Sequence, residues 1–347
     1  MKNPTSDKTR RKRTIITILG TTVLLLLMLV SISGCVSFAG IPNLGSNNVS
    51  NLNKSDEAIK VYDKAIEINP QNSDAWNNKG LALDDLNKFD EAIIAYNKAI
   101  EINPQDSEAW YNKASALDDL NKSEEAIHAY DKAIEINPQY SDAWYNKGVV
   151  LGKLNKSDEA IKAYDKAIEI NPHDSSSWYN KGNSLFNLNK YDEAIEAYDK
   201  AIEISPRKSK AWNNKGNTLF NLNKYDDAII AYNKAIEINP QNSDAWYNKG
   251  NALKELGNND EAIKAYDKVI ETNSQDSMAW TGKGMALNDL NKFDEAIIAY
   301  NKAIEINPQD SEAWYNKASA LDDLNKSEEA INAYDKAIEI NSQYSDA

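Results

Sequence analysis

The sequence predicts an all-α solenoid, in which similar helix pairs stack one upon another along the chain. Three observations lead to this prediction. Tryptophan recurs at a constant interval of 34 residues, apolar and polar residues around each tryptophan follow helical spacing, and a proline ends most of the helical stretches. A fixed period of this size is typical of units that bury their apolar faces only against their neighbours. The tryptophans are Trp76, Trp110, Trp144, Trp178, Trp212, Trp246, Trp280 and Trp314.

Residues 1–34 are a basic segment followed by a hydrophobic one. Lysines and arginines cluster between Lys8 and Arg13, and residues 14–33 form an uncharged run of 20 residues, which is long enough to span a bilayer. The run leads into Ile-Ser-Gly-Cys, which resembles a lipoprotein signal with lipidation at Cys35, the only cysteine of the chain. An uncut membrane helix is the alternative. Both alternatives place the repeats on the extracytoplasmic side of the cell membrane, because basic flanks stay in the cytoplasm.

Two further segments precede the complete repeats. Residues 35–53 are rich in serine, glycine and asparagine with little periodicity, which predicts a flexible tether. Residues 54–72 carry Ala58 and Tyr62 at helical spacing and end near Pro70, so they predict half a repeat that contains only the second helix.

Eight complete units fill the rest of the chain. In unit one, Trp76 and Gly80 lie on the apolar face of a first helix, and Ala92 and Tyr96 lie on that of a second helix after a short turn. The units comprise residues 73–106, 107–140, 141–174, 175–208, 209–242, 243–276, 277–310 and 311–344, and residues 345–347 correspond to the start of a further unit.

The pattern within each unit resembles the tetratricopeptide repeat. We number the places of each unit from 1 to 34, with Ser73 at place 1 of unit one. Tryptophan at place 4, a small residue at place 8, leucine at place 11, alanine at places 20 and 27, tyrosine at place 24 and proline at place 32 carry the resemblance over residues 73–344. The resemblance implies a right-handed α-solenoid whose first helices line a concave groove for protein ligands.

Place 7 departs from the family pattern, which often has leucine there. It is lysine in all eight units. We expect the aliphatic stems of these lysines to follow the helix boundary, with the ammonium groups at its edge. Their expected partners are the glutamates at place 29, such as Glu101 and Glu135, and the alternative is a solvated row of lysines.

The resemblance implies that places 2, 5, 6, 9, 12 and 13 face the ligand. Place 6 is asparagine in seven of the eight units. Because an amide both donates and accepts hydrogen bonds, a ladder of asparagines can bond the backbone of an extended peptide. The alternative is that asparagine and tyrosine are only the consensus of the repeat. The candidate ladder residues are Asn78, Asn112, Asn146, Asn180, Asn214 and Asn248.

The middle units differ from the end units at the groove places. Units four to six carry asparagine at place 9, and units four and five carry phenylalanine at place 12, where units one, two and eight have aspartate. We expect a partner to dock on this neutral and aromatic stretch, with acidic flanks that favour basic segments. The further candidate groove residues are Tyr179, Asn183, Phe186, Asn217, Phe220, Tyr247 and Asn251.

The composition argues against several classes of function. With 53 acidic and 39 basic residues, the formal net charge is −14, so the chain would repel nucleic acid. One cysteine and two histidines, His128 and His173, do not form a cysteine and histidine metal site or a catalytic constellation. We therefore expect no enzymatic activity, no metal and no cofactor.

These observations predict a membrane-anchored extracytoplasmic scaffold that grips extended segments of partner proteins in its groove. Two alternatives are an accessory or assembly subunit of an envelope enzyme or secretion complex, and a surface spacer that binds nothing. We also expect self-association through the last unit, since an uncapped solenoid end exposes apolar surface.

Overall fold

The computed structural model describes the backbone of residues 47–341 and side chains from residue 54 onward. The hydrophobic run 14–33, Cys35 and residues 345–347 lie outside the described residues. Between residues 47 and 341 the chain forms 17 helices and no strand, which confirms the all-α class. The helices are α1 Asn47–Ile68, α2 Ser73–Asp85, α3 Phe89–Ile102, α4 Ser107–Asp119, α5 Ser123–Ile136, α6 Ser141–Lys153, α7 Ser157–Ile170, α8 Ser175–Asn187, α9 Tyr191–Ile204, α10 Ser209–Asn221, α11 Tyr225–Ile238, α12 Ser243–Glu255, α13 Asn259–Thr272, α14 Ser277–Asp289, α15 Phe293–Ile306, α16 Ser311–Asp323 and α17 Ser327–Ile340.

Each unit consists of a first helix that begins at place 1 and a second helix that begins at place 17. The helix before unit one is longer than the sequence predicts. It begins at Asn47 and continues through Asn53 and Lys54, the pair that forms a turn in other units. Residues 47–53, which we expected to be part of a flexible tether, are therefore helical. They contain neither glycine nor proline, so no residue among them interrupts a helix that extends backward from Ser55.

The turn between the two helices of a unit depends on the residue at place 15. Asparagine adopts a left-handed conformation there, with φ between 57° and 60° in seven units, and Gly257 takes that place in unit six with φ of 74°. In unit one, the N–H of Lys88 donates to the carbonyl oxygen of Leu83 at 2.9 Å, and the N–H of Asn87 donates to that of Asp84 at 2.9 Å. This is a Schellman motif, which satisfies the last carbonyls of the first helix.

The helix pair packs through close contact between place 8 and the tyrosine at place 24. A Cβ atom added to Gly80 would lie 2.4 Å from Cε1 of Tyr96, and the side chain of Tyr96 is fully buried. The glycine therefore allows the ring to lie flat against the first helix. Ala114 and Ala318 occupy this place in units two and eight and are also buried.

The tryptophan at place 4 joins successive units. In all eight units its Nε1–H donates to the carbonyl oxygen of place 32 in the preceding turn, at 3.0 to 3.2 Å. The bond is present even where Ser274 replaces proline, because the acceptor is a backbone oxygen. Each tryptophan thus holds the turn between units against the first helix of its own unit.

The first helices lie on the inner side of the array. Within residues 73–341, first helices of successive units contact each other in every adjacent pair, whereas second helices contact mainly first helices. The first helices therefore lie side by side and line a groove, in agreement with the resemblance to the repeat family. No helix of the described part of the chain has the length and apolar character needed to cross a membrane.

A substitution at place 15 tests the turn. Asn121→Ala should lower the free energy of unfolding by about 1 kcal/mol, because an alanine side chain is disfavoured in the left-handed conformation. Asn121→Gly should leave it nearly unchanged, since glycine adopts that conformation readily. Urea unfolding followed by circular dichroism measures both variants, and equal losses for alanine and glycine would contradict this account of the turn.

Candidate peptide-binding groove

The asparagine ladder lies between neighbouring first helices. Each ladder asparagine from unit two to unit six donates a hydrogen bond through Nδ2 to the place-5 side chain of the preceding unit. Asn112 and Asn146 are buried, and Asn78, Asn180, Asn214 and Asn248 are half-buried. The bonds join Asn112 to Oδ1 of Asn77 at 3.1 Å, Asn146 to Oη of Tyr111 at 2.8 Å, Asn180 to Oη of Tyr145 at 3.1 Å, Asn214 to Oη of Tyr179 at 3.0 Å and Asn248 to Oδ1 of Asn213 at 3.4 Å.

The ladder therefore has a structural role that sequence reasoning missed. Asn112, Asn146 and Asn180 each donate one hydrogen bond to the preceding unit, and Asn214 and Asn248 each donate two, which gives the repeat a physical reason to have asparagine at this place. An amide has two N–H donors and two lone pairs on its oxygen, so each ladder residue keeps hydrogen-bonding capacity for a ligand. The signal in the sequence was the parallel recurrence of tyrosine or asparagine at place 5.

Units four to six add a second layer of hydrogen bonds at place 9. Oδ1 of Asn183, Asn217 and Asn251 accepts from the hydroxyl of the place-24 tyrosine of the same unit, at 2.7 to 2.9 Å. Asn183 and Asn217 also accept from the ladder asparagine of the next unit, at 2.8 and 2.9 Å. Asn183 and Asn217 thus connect both helices of their unit to the following unit, whereas Asn251 connects the two helices of unit six.

Burial keeps the tyrosine hydroxyls of this network protonated. Desolvation raises the pKa of Tyr198 and of Tyr266, and in both cases a neighbouring tyrosine adds to the effect. Desolvation likewise raises the pKa of Tyr232. Since a neutral hydroxyl is needed to donate to the asparagine oxygens, the network keeps its hydrogen bonds throughout the ordinary pH range.

The aromatic candidates pack against the second helices of their own units. The ring centroid of Phe186 lies 5.6 Å from that of Tyr191, and the centroid of Phe220 lies 5.2 Å from that of Tyr225. Both phenylalanines are half-buried. They contribute to the core of their units as well as to its inner surface.

The remaining two aromatic candidates, Tyr179 and Tyr247, also pack against buried tyrosines. Tyr179 stacks at a tilt on Tyr198 at 6.0 Å, and Tyr247 does so on Tyr266 at 5.8 Å. The structure therefore brings Tyr179, Asn180, Asn183 and Asn214 into one cluster, while Phe186 lies further along the same first helix.

The lysines at place 7 have partners other than those expected. Five of the eight pair with the aspartate at place 25 of the preceding repeat. The glutamates at place 29 pair instead with the lysine at place 26 of their own helix, as in Lys98 with Glu101 and Lys132 with Glu135 at 2.7 Å. Residues three apart share a helix face, so place 29 reaches place 26, whereas place 25 lies opposite the next first helix. The pairs across units are Lys79–Asp63, Lys147–Asp131, Lys181–Asp165, Lys215–Asp199 and Lys283–Asp267, at 2.5 to 2.7 Å.

Three place-7 lysines follow a unit with asparagine at place 25. Lys113, Lys249 and Lys317 lie over the tryptophan ring of their own unit, with Nζ 5.1 to 5.2 Å from the ring centroid. Burial lowers the pKa of each of these three ammonium groups. The cation–π contact stabilises these ammonium groups, and the charges of Glu125 and Glu329 oppose the lowering of the pKa of Lys113 and Lys317.

Comparison with known families gives the affiliation of the chain. A tetratricopeptide repeat model matches residues 73–106, 107–140, 141–174, 175–208 and 209–242, and related models of the same repeat match residues 51–85, 247–311 and 299–332. The chain belongs to the tetratricopeptide repeat family. Repeats of this family form scaffolds for protein–protein interaction, and this array is such a scaffold. No curated protein matches the sequence.

Several solved structures resemble parts of the array. YrrB, described as a TPR protein with an unusual peptide-binding site, is 29% identical with a TM-score of 0.46, and the match covers 52% of this chain and 94% of YrrB. MamA from Desulfovibrio magneticus RS-1 is 21% identical with a TM-score of 0.47, covering 49% and 96%. A chain of the APC/C hetero-tetramer Cut9–Hcn1 is 20% identical with a TM-score of 0.52, covering 77% and 52%. This last likeness shows the fold alone.

The difference between the two groups of place-7 lysines can be tested by chemical labelling. Lys113, Lys249 and Lys317 should be acetylated faster at about pH 9 than Lys147, Lys181 and Lys215, because a lowered pKa leaves more neutral amine at a given pH and the preceding unit has no aspartate at place 25 to pair with the ammonium. Mass spectrometry after brief acetylation measures the rates.

Asn97→Asp provides the matched control for this labelling. The new carboxylate at place 25 should pair with Lys113 and slow the acetylation of that residue only, while Lys249 and Lys317 keep their rates. Equal rates for all six lysines in the unaltered protein would contradict the assignment of partners.

Proposed function

We propose that this protein is a membrane-anchored extracytoplasmic scaffold that grips extended peptide segments of partner proteins along the inner face of its first helices. The observation that carries the proposal is the surface of units four to six. There, amides of Asn180, Asn214 and Asn248 and the rings of Tyr179 and Tyr247 lie half-buried along one face of the array. Such a surface offers both hydrogen bonds to a peptide backbone and flat area for its side chains.

The hydrogen bonds between units make this surface rigid before a ligand arrives. Asn214 is held by Oη of Tyr179 at 3.0 Å and Oδ1 of Asn183 at 2.8 Å, so its side chain has little rotamer freedom left to lose on binding. Preorganised donors and acceptors reduce the entropic cost of association. Units one, two and eight carry aspartates at places 12 and 13, and these acidic flanks support a preference for ligands with basic ends.

The membrane location rests on the amino-terminal sequence. The basic cluster between Lys8 and Arg13, the uncharged run 14–33 and Cys35 together support a lipoprotein signal or an uncut anchor, and in both cases the array lies outside the cytoplasm. Self-association through unit eight also stays a prediction.

A paired comparison of variants tests the groove. Asn180→Ala with Asn214→Ala should weaken peptide binding by about tenfold, because it removes hydrogen-bonding groups from the inner face. The probe is a fluorescent peptide selected on the unaltered array from a random peptide library, and fluorescence anisotropy measures its affinity.

The control variant removes contacts at the same unit boundaries but away from the inner face. Asp165→Ala with Asp199→Ala breaks the pairs with Lys181 and Lys215, so it also weakens the contacts between units. Peptide affinity should be unchanged in this control. Equal affinity of both variants and the unaltered array would refute binding in the groove, and failure to select any peptide would favour the spacer alternative.

The mode of membrane anchoring can be tested by measuring the intact mass of the mature protein. If Cys35 is lipidated, the mature protein should begin at Cys35 and carry a diacylglyceryl group, since the signal is cut before the cysteine in lipoproteins. Cys35→Ser should keep residues 1–34 and lack the lipid. Intact-mass measurement of membrane fractions distinguishes the two, and an unaltered chain that retains residues 1–34 would establish the uncut membrane helix instead.

A further inference from the structure

The turn between units four and five carries a cluster of positive charge. The cluster consists of Arg207 and Lys208 in the turn and Lys210 at the start of α10, and Arg207 is the only arginine in residues 47–341. The corresponding turn after unit one contains Asp106 and Glu108 at the places of Lys208 and Lys210. The formal charge of these residues is therefore +3 between units four and five and −2 after unit one. Within residues 47–341, this cluster is a local concentration of positive charge.

The cluster borders an open recess of about 460 Å³. Ser175, Ser205, Pro206, Arg207 and Lys208 line it. The hydroxyl of Ser205 donates to Oγ of Ser175 at 3.0 Å, so two hydroxyl groups lie beside the basic side chains. Hydroxyls and cations together are the groups that bind carboxylates and other oxyanions in proteins.

Lys208 connects this recess to the groove. Its Nζ donates to the carbonyl oxygen of Ser175 at 3.2 Å and to Oγ of Ser176 at 3.4 Å, and it lies 4.8 Å from the ring centroid of Tyr179. Tyr179 is one of the groove residues and accepts from Asn214. A ligand that fills the recess is therefore adjacent to the hydrogen-bonded surface of units four and five.

The other two charges of the cluster are exposed and have no ion-pair partner among the described residues. The carboxylate of Asp174 interacts electrostatically with Lys208 and caps α8, where it accepts from the N–H of Ser176 at 3.2 Å and the hydroxyl of Ser177 at 2.8 Å. The first helices α8 and α10 contain no aspartate or glutamate at all. Arg207 and Lys210 thus lie beside an inner face without negative charge, and Lys210 is next to the positive end of α10, where a cation is disfavoured.

We propose that this cluster and its recess bind a carboxylate of a short acidic segment in the partner protein, whose chain continues across Tyr179 along units four and five. This inference rests on the proposed function and specifies the ligand. Arg207 and Lys210 form charge-assisted hydrogen bonds with the carboxylate, and Lys208 holds the recess in shape. The aspartates of the outer units repel additional acids, so the ligand has acidic residues at its centre and neutral or basic residues on both sides.

Selection from a random peptide library on the intact array and on one variant tests this charge pattern. The variant is Arg207→Gln with Lys210→Asp, which introduces the residues found at the same places as Gln241 and Asp244. Lys208 stays because it contacts α8. We expect peptides selected on the unaltered array to share an acidic residue at one fixed position, and peptides selected on the variant to lack it.

The control carries the same change in charge on the outer helices. Lys162→Asp with Lys264→Gln lowers the charge by three, as the test variant does, at exposed positions of α7 and α13. Changing the acidic residue of a selected peptide to its amide should weaken binding by about tenfold to the unaltered array and to this control, but leave affinity for the test variant unchanged.

Three outcomes separate the inference from the proposal on which it rests. Peptides without a shared acidic residue, or with equal affinity for the unaltered array and the test variant, would overturn the acidic ligand and leave the groove as the peptide site. Peptides that bind the Asn180→Ala, Asn214→Ala variant more weakly than the unaltered array, but bind the test variant equally well, would also overturn the acidic ligand and leave the groove as the peptide site. Absence of any selected peptide would overturn both.

Discussion

The stacking of each first helix on the second helix of the preceding unit is the contact on which the rest of this array depends. A single helix pair leaves one side of its second helix uncovered, and the next unit covers it. The tryptophan indole holds the connecting turn through a backbone carbonyl, and the lysine at place 7 reaches the aspartate of the preceding unit across the same boundary. Because the same contact repeats at every boundary, the inner surface is continuous over eight units.

The groove is made from the side chains that hold the units together. A ladder asparagine such as Asn180 donates one hydrogen bond to the preceding unit and still has capacity for a ligand. The proposed recognition role therefore falls on residues that also hold the units together, and we expect a substitution there to affect stability together with binding. This overlap is the reason that a control at the same unit boundary, but on another face, is needed to separate the two effects.

Charge is distributed unevenly along the array. Lysines of the second helices pair with glutamates of their own helix, and most place-7 lysines pair with aspartates across the unit boundary, so much of the surface charge is locally balanced. The middle of the inner face differs, since α8 and α10 contain no carboxylate and Arg207 and Lys210 lie at the turn between their units. A scaffold with a uniform repeat can in this way favour a ligand at one position along its length, because the local charge of the inner face differs there.

The sequence by itself determined the all-α class, the helix pairs and the places of the core residues. These features depend on signals within one unit, namely helical spacing, small residues at place 8 and proline after the second helix, and eight copies repeat each signal. It also predicted a set of candidate groove residues. Only the tertiary structure decided what those side chains bond, which lysines are paired and where the basic cluster lies. Lys181 and Asp165 are 16 residues apart and Asn180 and Tyr145 are 35 apart, so both contacts depend on how one unit is rotated against the next, which no local pattern in the sequence specifies.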